Sequence, residues 1–370
     1  MKIKISILTA MMLFLGVACT QTKKGSSNGD NSKLSEYELV GNVKSVSEKS
    51  YATGTVDGEP VNILYTDIHR VFDEDGRVLS EEVDSEGEGY TASYTYDADG
   101  NMVKLEHTLE YEGLSTTENT YDAKGNLIRS VFSIKDSLQF ASRDEYVYDK
   151  NNNLIEQVTY SGEFGEHRIA YVYDEKNRLI ETRADSGDEM PNKTIHTYNE
   201  IDSLASVKSF SSSGVLLEET LYSYNEKGIK TKSEYKSFDE EGKMNYRRLE
   251  HFDDRGNATL QENHNIEGVL TDKTENTYDA QGRVIESVHY VVSEGNALTI
   301  EYQSKYKYDD KGNLVEEVSD FPVQGYSQTL LRTYEYDHKG NWIRMVLTQI
   351  YEKEELPMKN ITERRITYYD

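Results

Sequence analysis

Apolar and polar positions alternate along most of this chain in short runs, and one run of eight residues returns many times. At 121–128 it reads as an aromatic residue, Asp, two variable residues, Gly, Asn and two apolar residues. The pattern occurs eleven times, and its second residue, here called the anchor, returns every 24 to 30 residues. A fixed period of this length predicts a repeat array in which each unit buries its apolar face on its neighbours. The anchors are Asp73, Asp97, Asp122, Asp149, Asp174, Asn199, Asn225, Asp253, Asp279, Asp309 and Asp337.

Each unit has the pattern of a β-hairpin. Residues 145–148 read Glu-Tyr-Val-Tyr, so the two tyrosines lie on one face of a strand. Asp at the anchor orients a type I turn, and Gly three residues later supplies the left-handed conformation that closes a bulged hairpin. Where Gly is absent, Asn152, Asn177 and Asp202 replace it, and these residue types tolerate positive φ best. We predict structural turn roles for Asp97 with Gly100, Asp122 with Gly125, Asp149 with Asn152, Asp174 with Asn177, Asp279 with Gly282, Asp309 with Gly312, and Asp337 with Gly340.

Two adjacent apolar residues follow each turn, such as Leu127 and Ile128, and a looser turn lies midway to the next anchor. Adjacent residues of a strand point to opposite faces, so either a bulge brings this pair together or both faces of the sheet are partly covered. The sequence leaves both alternatives open. Without sustained helical periodicity, it predicts an all-β fold, a long antiparallel β-hairpin repeat array of about 22 or more strands. We expect a twisted or spiralling sheet, with curling into a partial tube left open.

The repeated Tyr-x-Tyr-Asp-x-x-Gly-Asn-Leu-Ile pattern resembles the YD-repeat or Rhs-repeat family from residue 70 onward. The resemblance implies long antiparallel sheets that spiral, and in large bacterial members the spiral closes into a shell around a C-terminal toxin. This chain has far fewer repeats than such a shell needs. We expect neither a core-associated segment nor a toxin after Asp370, so the chain looks closer to the short lipoprotein members typical of Bacteroidetes.

The N-terminus has the pattern of a bacterial lipoprotein signal. Lys2 and Lys4 precede an apolar run at 5–17 that is too short to span a bilayer but fits a signal peptide. The run ends Leu-Gly-Val-Ala before Cys19, and the position of this single cysteine predicts lipidation, with palmitate among the acyl chains, and excludes any disulfide within the chain. We expect lipid anchoring to the outer membrane of the cell envelope, on a face that the sequence leaves undetermined. The predicted organisation is a signal peptide at 1–18, a flexible tether at 19–33 and one YD-repeat β domain at 34–370, with N-terminal cap strands at 34–69, repeats at 70–343 and C-terminal cap strands at 344–370.

The charge of the chain limits its partners. The formal net charge is −26, which repels phosphate backbones and anionic lipid headgroups. We therefore expect no nucleic-acid partner, and contact with the membrane only through the N-terminal lipid. Tyr, with 29 copies against 9 of Phe, supplies much of the buried area while its hydroxyl reaches polar groups.

Candidate metal and catalytic chemistry is weak. The first two turns contain Asp-x-Asp-Gly, which suits calcium, but Lys occupies the third position of the motif in other copies and cannot be a ligand. Calcium is left open for those two turns alone. The eight histidines show no metal-ligand spacing, so we predict no metal site and no cofactor. Among 67 acidic residues a carboxylate pair arises by abundance, so an exported hydrolase is kept only as an alternative and the chain is predicted not to be an enzyme.

Aromatic residues outside the repeat pattern are the stronger candidates for binding. Exposed rings bind sugars or peptide segments, and the candidates are Tyr90, Tyr111, Tyr326 and Trp342. Trp342 stands where other copies carry Leu or Val and therefore also fits as a core plug. Our first hypothesis is a non-catalytic binding or scaffold lipoprotein that holds a protein or glycan partner in the envelope. The alternative is a carbohydrate-binding module that uses exposed tyrosines.

The middle of the array has the weakest repeats. After Tyr224 and Phe252, the apolar pair is replaced by Lys230 with Thr231 and by 258–259, which is Ala-Thr. Less apolar burial predicts that this stretch is the least stable part of the array, or the place where it bends. We expect its amide hydrogens to exchange fastest. Uniform protection across all repeats in a hydrogen-exchange experiment would contradict this expectation.

Overall fold

The computed structural model describes residues 32–56, 59–86, 88–109, 113–135, 137–162, 165–185, 192–293, 297–352 and 357–370. They form one short helix, α1 (Ser32–Ser35), and 24 strands. The strands are β1 (Val43–Val56), β2 (Glu59–Phe72), β3 (Val78–Ser85), β4 (Glu88–Tyr96), β5 (Met102–Leu109), β6 (Gly113–Tyr121), β7 (Leu127–Ile134), β8 (Ser137–Tyr148), β9 (Leu154–Ser161), β10 (Gly165–Tyr173), β11 (Leu179–Ala184), β12 (Lys193–Tyr198), β13 (Leu204–Phe210), β14 (Leu216–Tyr224), β15 (Lys230–Phe238), β16 (Met244–Phe252), β17 (Ala258–His264), β18 (Leu270–Tyr278), β19 (Val284–Val292), β20 (Leu298–Tyr308), β21 (Leu314–Phe321), β22 (Tyr326–Tyr336), β23 (Trp342–Tyr351) and β24 (Met358–Tyr368).

The strands form one closed antiparallel barrel. Each strand pairs with the next along the chain, and β1 pairs with β24 from Val43–Tyr368 to Ala52–Asn360. The all-β repeat array is therefore confirmed, and the tube is complete rather than partial. The small number of repeats does not prevent closure, because a single ring requires only that the last strand reach the first. Within the described ranges, closure also leaves no full-length strand edge to attract another chain.

All anchor turns lie at one end of the barrel, here called the Tyr-Asp rim, because each follows an even-numbered strand and these strands run in the same direction. The end formed by the looser turns is the opposite rim. At each anchor turn the third residue after the anchor has positive φ, including 83° at Gly125, 72° at Asn152 and 60° at Asn177. Asn therefore adopts the same left-handed conformation as Gly, as its tolerance of positive φ allows.

A register shift explains the adjacent apolar residues after each turn. Tyr121 pairs with Leu127, but Thr120 pairs with Arg129, so Ile128 is an extra residue on its strand. The same shift follows the other tight turns, for example between Val147 and Tyr148. The extra residue restarts the alternation of the strand. Of the two alternatives left open by the sequence, the structure shows the bulge.

The two faces of the sheet differ. We call the side that carries Tyr121 and its equivalents the tyrosine face, and the other side the opposite face. Tyr146 and Tyr148 are half-buried, whereas Val147 between them is exposed. Most residues of the barrel wall are only half-buried, as expected for a single layer of sheet.

The main buried cluster lies where the barrel closes, and we call this region the seam. Leu34, Leu39, Val43, Val46 and Phe72 pack together there and are almost completely buried. The first two precede β1, so the chain before the first strand covers the tyrosine face beside the β1–β24 pairing. Closure therefore coincides with most of the fully buried apolar area in the described chain.

The left-handed turn position yields a direct test of the repeat geometry. At Gly125 no atom lies closer than 4.0 Å to the position of an added Cβ, so the cost of a substitution comes from its φ of 83° and not from a steric clash. We expect Gly125→Val to lower the free energy of unfolding by about 1 kcal/mol or more, because a β-branched residue tolerates positive φ poorly. The midpoint of urea unfolding measures the change.

The chain supplies its own control for this test. Gly125→Asn places in this turn the residue found at Asn152 and Asn177, and we expect a clearly smaller loss. Equal midpoints for the Val variant and the wild type would contradict the assigned turn geometry.

Candidate functional site

The anchor carboxylates are bound within their own turns. Asp122 accepts hydrogen bonds at Oδ1 from the backbone N–H groups of Lys124 at 2.8 Å and Asn126 at 2.9 Å. Its Oδ2 accepts from Asn126 Nδ2 at 2.9 Å. Asp97 and Asp253 repeat this arrangement with Asn101 and Asn257. The sequence-predicted turn residues thus form a ring of saturated carboxylates at the Tyr-Asp rim.

Hydrogen bonding lowers the pKa of these carboxyl groups. The backbone N–H and then the side chain of Asn126 hold the pKa of Asp122 below its ordinary value. At Asp97 the side chain of Asn101 contributes most, followed by its backbone N–H. A carboxylate that accepts several hydrogen bonds resists protonation because protonation removes acceptors that the turn uses.

In the first of the two turns considered for calcium, both carboxylates already have a partner. Asp73 accepts from Arg77 Nε at 2.6 Å, and Asp75 forms an ion pair with Arg77 Nη2 at 2.8 Å. The guanidinium group therefore occupies the place beside both carboxylates. No cluster of three or more His, Cys, Asp or Glu side chains that could hold a metal ion occurs within the described ranges.

Seven of the repeated tyrosines connect their own unit to the preceding one. Tyr121 donates from its hydroxyl to the carbonyl of Met102, which is the first residue after the preceding turn, at 2.9 Å. Such bonds contribute about 0.5–1.5 kcal/mol each. The same bond, at 2.7 to 3.0 Å, joins Tyr96 to Val78, Tyr148 to Leu127, Tyr198 to Leu179, Tyr224 to Leu204, Tyr278 to Ala258, and Tyr308 to Val284. These hydroxyls and rings serve the array, and we call the set the tyrosine ladder.

Trp342 is not a binding aromatic. Its side chain is part of the buried seam and only 8% of the residue is exposed. Nε1 donates to Glu38 at 2.8 Å, and the Arg364 guanidinium lies 3.4 Å from the ring centroid. Covered by the chain before β1, Trp342 fills the role of a core plug, and its assignment as a candidate binding aromatic is corrected.

The two remaining candidate aromatics that the structure describes, Tyr90 and Tyr326, do not form one surface. Tyr90 on β4 is half-buried, packs on His107 at 5.0 Å and donates its hydroxyl to Glu81. Tyr326 begins β22, six strands away around the seam. Tyr111 lies outside the described residues, as does Cys19. The strip of exposed tyrosines that would mark a sugar platform is therefore not formed by Tyr90 and Tyr326.

Tyr326 instead belongs to a row of four rings on the tyrosine face. His289 stacks on Tyr302 with centroids 4.9 Å apart, and Phe321 stacks on Tyr326 at 4.7 Å. Tyr302 and Phe321 join the two pairs at 6.2 Å. The sequence alone did not identify this row, because its members come from four strands and meet only in the final register. In each stacked pair the two ring faces lie against each other, so the ring edges point away from the pair.

Two ion pairs lie on the tyrosine face of the strands next to the seam. Arg364 on β24 donates to Glu48 on β1 at 2.7 Å, and its side chain is only 9% exposed. Burial lowers the pKa of Arg364 from its ordinary value, whereas Glu48 acts in the opposite direction. On the neighbouring strands Arg70 binds Glu81 and lies 4.8 Å from the ring of Tyr37. Sequence reasoning missed these pairs because nothing in the repeat period indicates which residues meet across the closure.

The opposite face carries a belt of ion pairs across β13 to β16. Lys208 binds Glu219 at 2.9 Å, and Lys236 lies between Glu219 at 3.7 Å and Glu234 at 3.1 Å. Arg247 continues the belt by binding Glu234 at 2.9 Å. Burial alone would raise the pKa of Glu234, but the hydrogen bonds from Arg247 and Lys236 outweigh it and lower the pKa to about 2. A catalytic general acid requires a shift in the other direction.

One recess at the Tyr-Asp rim has a volume of about 390 Å³ and is lined by Asp253, Arg255 and Asp279, among others. Arg255 donates from Nη1 to the carbonyls of Asp279 at 3.2 Å and Ala280 at 2.9 Å. Both aspartates are the anchors of adjacent turns and accept hydrogen bonds from those turns. The recess is thus a gap between neighbouring turns whose polar groups already bond to one another.

No helix in the described part of the chain has the length and apolar character needed to cross a bilayer. No protein-family model matches the chain, and no curated protein matches its sequence. Among solved structures the chain is similar to TcdB2-TccC3 without its hypervariable C-terminal region, at 14% identity and a TM-score of 0.31. That similarity covers 83% of this chain and 21% of the other.

A porin-like protein from Bacteroides uniformis is similar at 9% identity and a TM-score of 0.23, over 88% of this chain and 98% of the other. A porin-like protein from Bacteroides vulgatus has 9% identity and a TM-score of 0.17 over the same shares of the two chains. Similarity at these TM-scores carries no conclusion about function.

The anchor geometry predicts how stability depends on pH. The folded-state pKa of Asp122 lies below its unfolded value, so its stabilising effect is complete above the ordinary carboxyl pKa of about 4 and is lost as the pH falls through the lower folded-state pKa. We expect Asp122→Asn, which keeps the Oδ1 acceptor, to lose less stability than the wild type between about pH 5 and pH 2. Urea midpoints across this range measure the difference.

The matched variant is Asp122→Ala, which removes both acceptor oxygens. We expect a lower urea midpoint at neutral pH for Ala than for Asn, because Asn199 and Asn225 bond their own turns in the same way. Identical midpoints for the two variants at every pH would show that the anchor side chain does not stabilise the turn.

Proposed function

We propose that this chain is a non-catalytic lipoprotein of the bacterial cell envelope, a short relative of the YD-repeat or Rhs-repeat proteins. Cys19 carries the lipid that anchors it to the outer membrane. The closed repeat sheet acts as a scaffold that holds a protein partner.

The observation that carries this proposal is the position of the described N-terminal end. The ideal Cβ position of Gly76 lies 3.1 Å from Leu34, and Val40 exchanges hydrogen bonds with the side chain of Asn341 at 2.7 and 2.9 Å. Gly76 and Asn341 both belong to anchor turns, so the chain enters the barrel at the Tyr-Asp rim. The proposed tether between Cys19 and α1 would span about 20 Å on average and would keep that rim near the membrane. The opposite rim then faces outward.

The chemistry of the two faces supports attachment through the lipid alone. The opposite face carries ion pairs in the middle of its strands, such as Lys208 with Glu219. The tyrosine face carries Arg364 with Glu48 and Arg70 with Glu81. A surface in contact with hydrocarbon would have to be apolar. Both faces instead suit polar surroundings or a protein surface.

A scaffold role also fits the use of the repeated residues. The anchor carboxylates are saturated by their turns, and the tyrosine ladder uses the hydroxyls that recur. Contacts with a partner therefore fall on residues that differ between copies, because neither the turns nor the tyrosine ladder use those residues. Repeat proteins commonly present extended binding surfaces of this kind.

A carbohydrate-binding module is the weaker alternative. Sugar rings bind to free aromatic faces, but the row from His289 to Tyr326 directs its ring faces toward its own members. Tyr90 is half-buried with its hydroxyl bound to Glu81, and Trp342 is buried. For an exported hydrolase, the low pKa of Glu234 and the occupied recess at Asp253 offer no acid and base pair.

The proposal is tested with the full-length lipoprotein in its native envelope. After reversible cross-linking we expect one protein to co-purify with the wild type, and to be lost with Cys19→Ser, which cannot be lipidated. In parallel, a glycan array should show only background binding. Glycan binding that disappears in Tyr302→Ala or Tyr326→Ala would favour the carbohydrate-binding alternative, and the absence of any co-purified protein would contradict the scaffold role.

A further inference from the structure

The first hairpin is longer than the rest of the barrel wall. Strands β1 and β2 each have 14 residues, whereas the neighbouring β3 has 8. The pairing of β2 with β3 begins only at Thr66, while its pairing with β1 continues to Glu59. Residues 59–64 of β2 thus pair only with β1, beyond the end of β3.

The unpaired stretch is limited at both ends. Pro60 has no N–H group to donate, and a register shift opposite Tyr51 leaves Tyr65 as an extra residue whose carbonyl accepts from the N–H of Glu86 at 3.2 Å. Between them, residues 61–64 read Val-Asn-Ile-Leu and have no partner strand on this side within the described ranges. We call these four residues the free edge. They span about 13 Å.

The free edge is apolar and accessible. Ile63 is 54% exposed and Leu64 is 46% exposed, and as neighbours in a strand they point to opposite sides of the hairpin. Natural proteins usually protect an exposed edge with charged side chains, yet none occurs between Val61 and Leu64. A free backbone edge flanked by apolar side chains is the feature to which extended peptides add as an extra strand.

The surrounding charge indicates the occupant. Asp84 at the end of β3, Glu86 in the following turn and Glu88 at the start of β4 lie next to the free edge and are all exposed. A second copy of this chain would bring another net charge of −26 toward them, which disfavours self-association. An extended segment with apolar residues at alternate positions and Lys or Arg at its ends complements both the edge and the acidic turn.

We propose that the free edge at 61–64 is a docking site for an extended, apolar segment of a partner protein with basic ends, which adds to β2 as a further strand. The inference rests on the proposed scaffold function and names the surface that serves it. The edge lies about 30 Å from the Tyr-Asp rim along β2, on the side of the barrel that the lipid anchor would leave outward.

A labelled peptide tests the site on the full-length chain in detergent. The probe is the hexapeptide Lys-Val-Thr-Val-Thr-Lys, measured by fluorescence anisotropy at low ionic strength. We expect binding that weakens with salt, and slower amide exchange at residues 59–65 when the peptide is bound. The same peptide with Glu in place of Lys, or with N-methylated backbone amides that cannot pair, should bind much more weakly.

Matched variants of the protein locate the binding. Ile63→Lys with Leu64→Lys places charge on the edge, and we expect affinity to fall about tenfold or more. The control is Leu298→Lys with Val323→Lys, which replaces two exposed apolar residues elsewhere on the same rim, and it should bind as the wild type does. Thermal unfolding verifies that both double variants are folded.

Several outcomes would overturn the proposal. These are equal binding by the edge variant and the wild type, equal binding of the N-methylated or acidic peptide, or no added protection at 59–65. Sedimentation that shows self-association of the wild type, lost in the edge variant, would assign the edge to a second copy.

The cross-linking experiment in envelopes is repeated with the wild type and the edge variant. A partner captured equally by these two proteins would refute the docking site and leave the scaffold function standing. No partner with either protein would refute the scaffold function, while the peptide measurements decide the edge separately.

Discussion

The pairing of β1 with β24 is the contact on which the rest of the barrel depends. Every other strand pairing in the described chain joins strands that are consecutive in sequence, so those pairings fix a ribbon and not its closure. At the closure, Tyr369 donates from its backbone to the carbonyl of Asn42 at 2.9 Å and from its hydroxyl to the carbonyl of Phe72 at 2.6 Å. Because these groups are distant along the chain, the seam is completed only when both ends of the array are present. Bringing the ends together costs conformational entropy, and burial of the cluster around Leu34 and Leu39 offsets that cost.

The hairpin array could be predicted from the sequence because its determinants are local. The anchor, the left-handed residue and the alternating tyrosines act within a few residues of one another, as the turn at Asp122 illustrates. Closure could not be predicted, because it depends on the accumulated curvature of 24 strands, which no single repeat specifies. Long-range contacts also explain why Trp342 was wrongly predicted to be a binding residue. The sequence of its own repeat does not indicate that its side chain is covered, but a segment about three hundred residues earlier in the chain covers it.

A single-layer wall changes which interactions stabilise the barrel. Few side chains outside the seam are fully buried, so hydrophobic burial is spread thinly over half-buried residues. Exposed ion pairs such as Lys307 with Glu316 contribute little individually, about 0–1 kcal/mol. The tyrosine ladder compensates by repetition, since each hydroxyl bonds the preceding unit at a point where the bulge disturbs strand pairing. Phe252 lacks the hydroxyl, so its unit has no ladder bond.

The same repetition separates structure from function along the chain. A residue that recurs at every anchor serves a task that every unit shares, and in this barrel that task is to form the turn and hold the preceding repeat. A residue or strand extension that occurs in only one unit is not explained by a task that every unit shares. The extension of β2 beyond β3 adds no strand pairing on that side of the wall, because Ile63 and Leu64 remain exposed and their edge remains unpaired in the described chain. A feature that the barrel does not need, placed at the rim away from the N-terminal end, is therefore where recognition of a partner is to be sought.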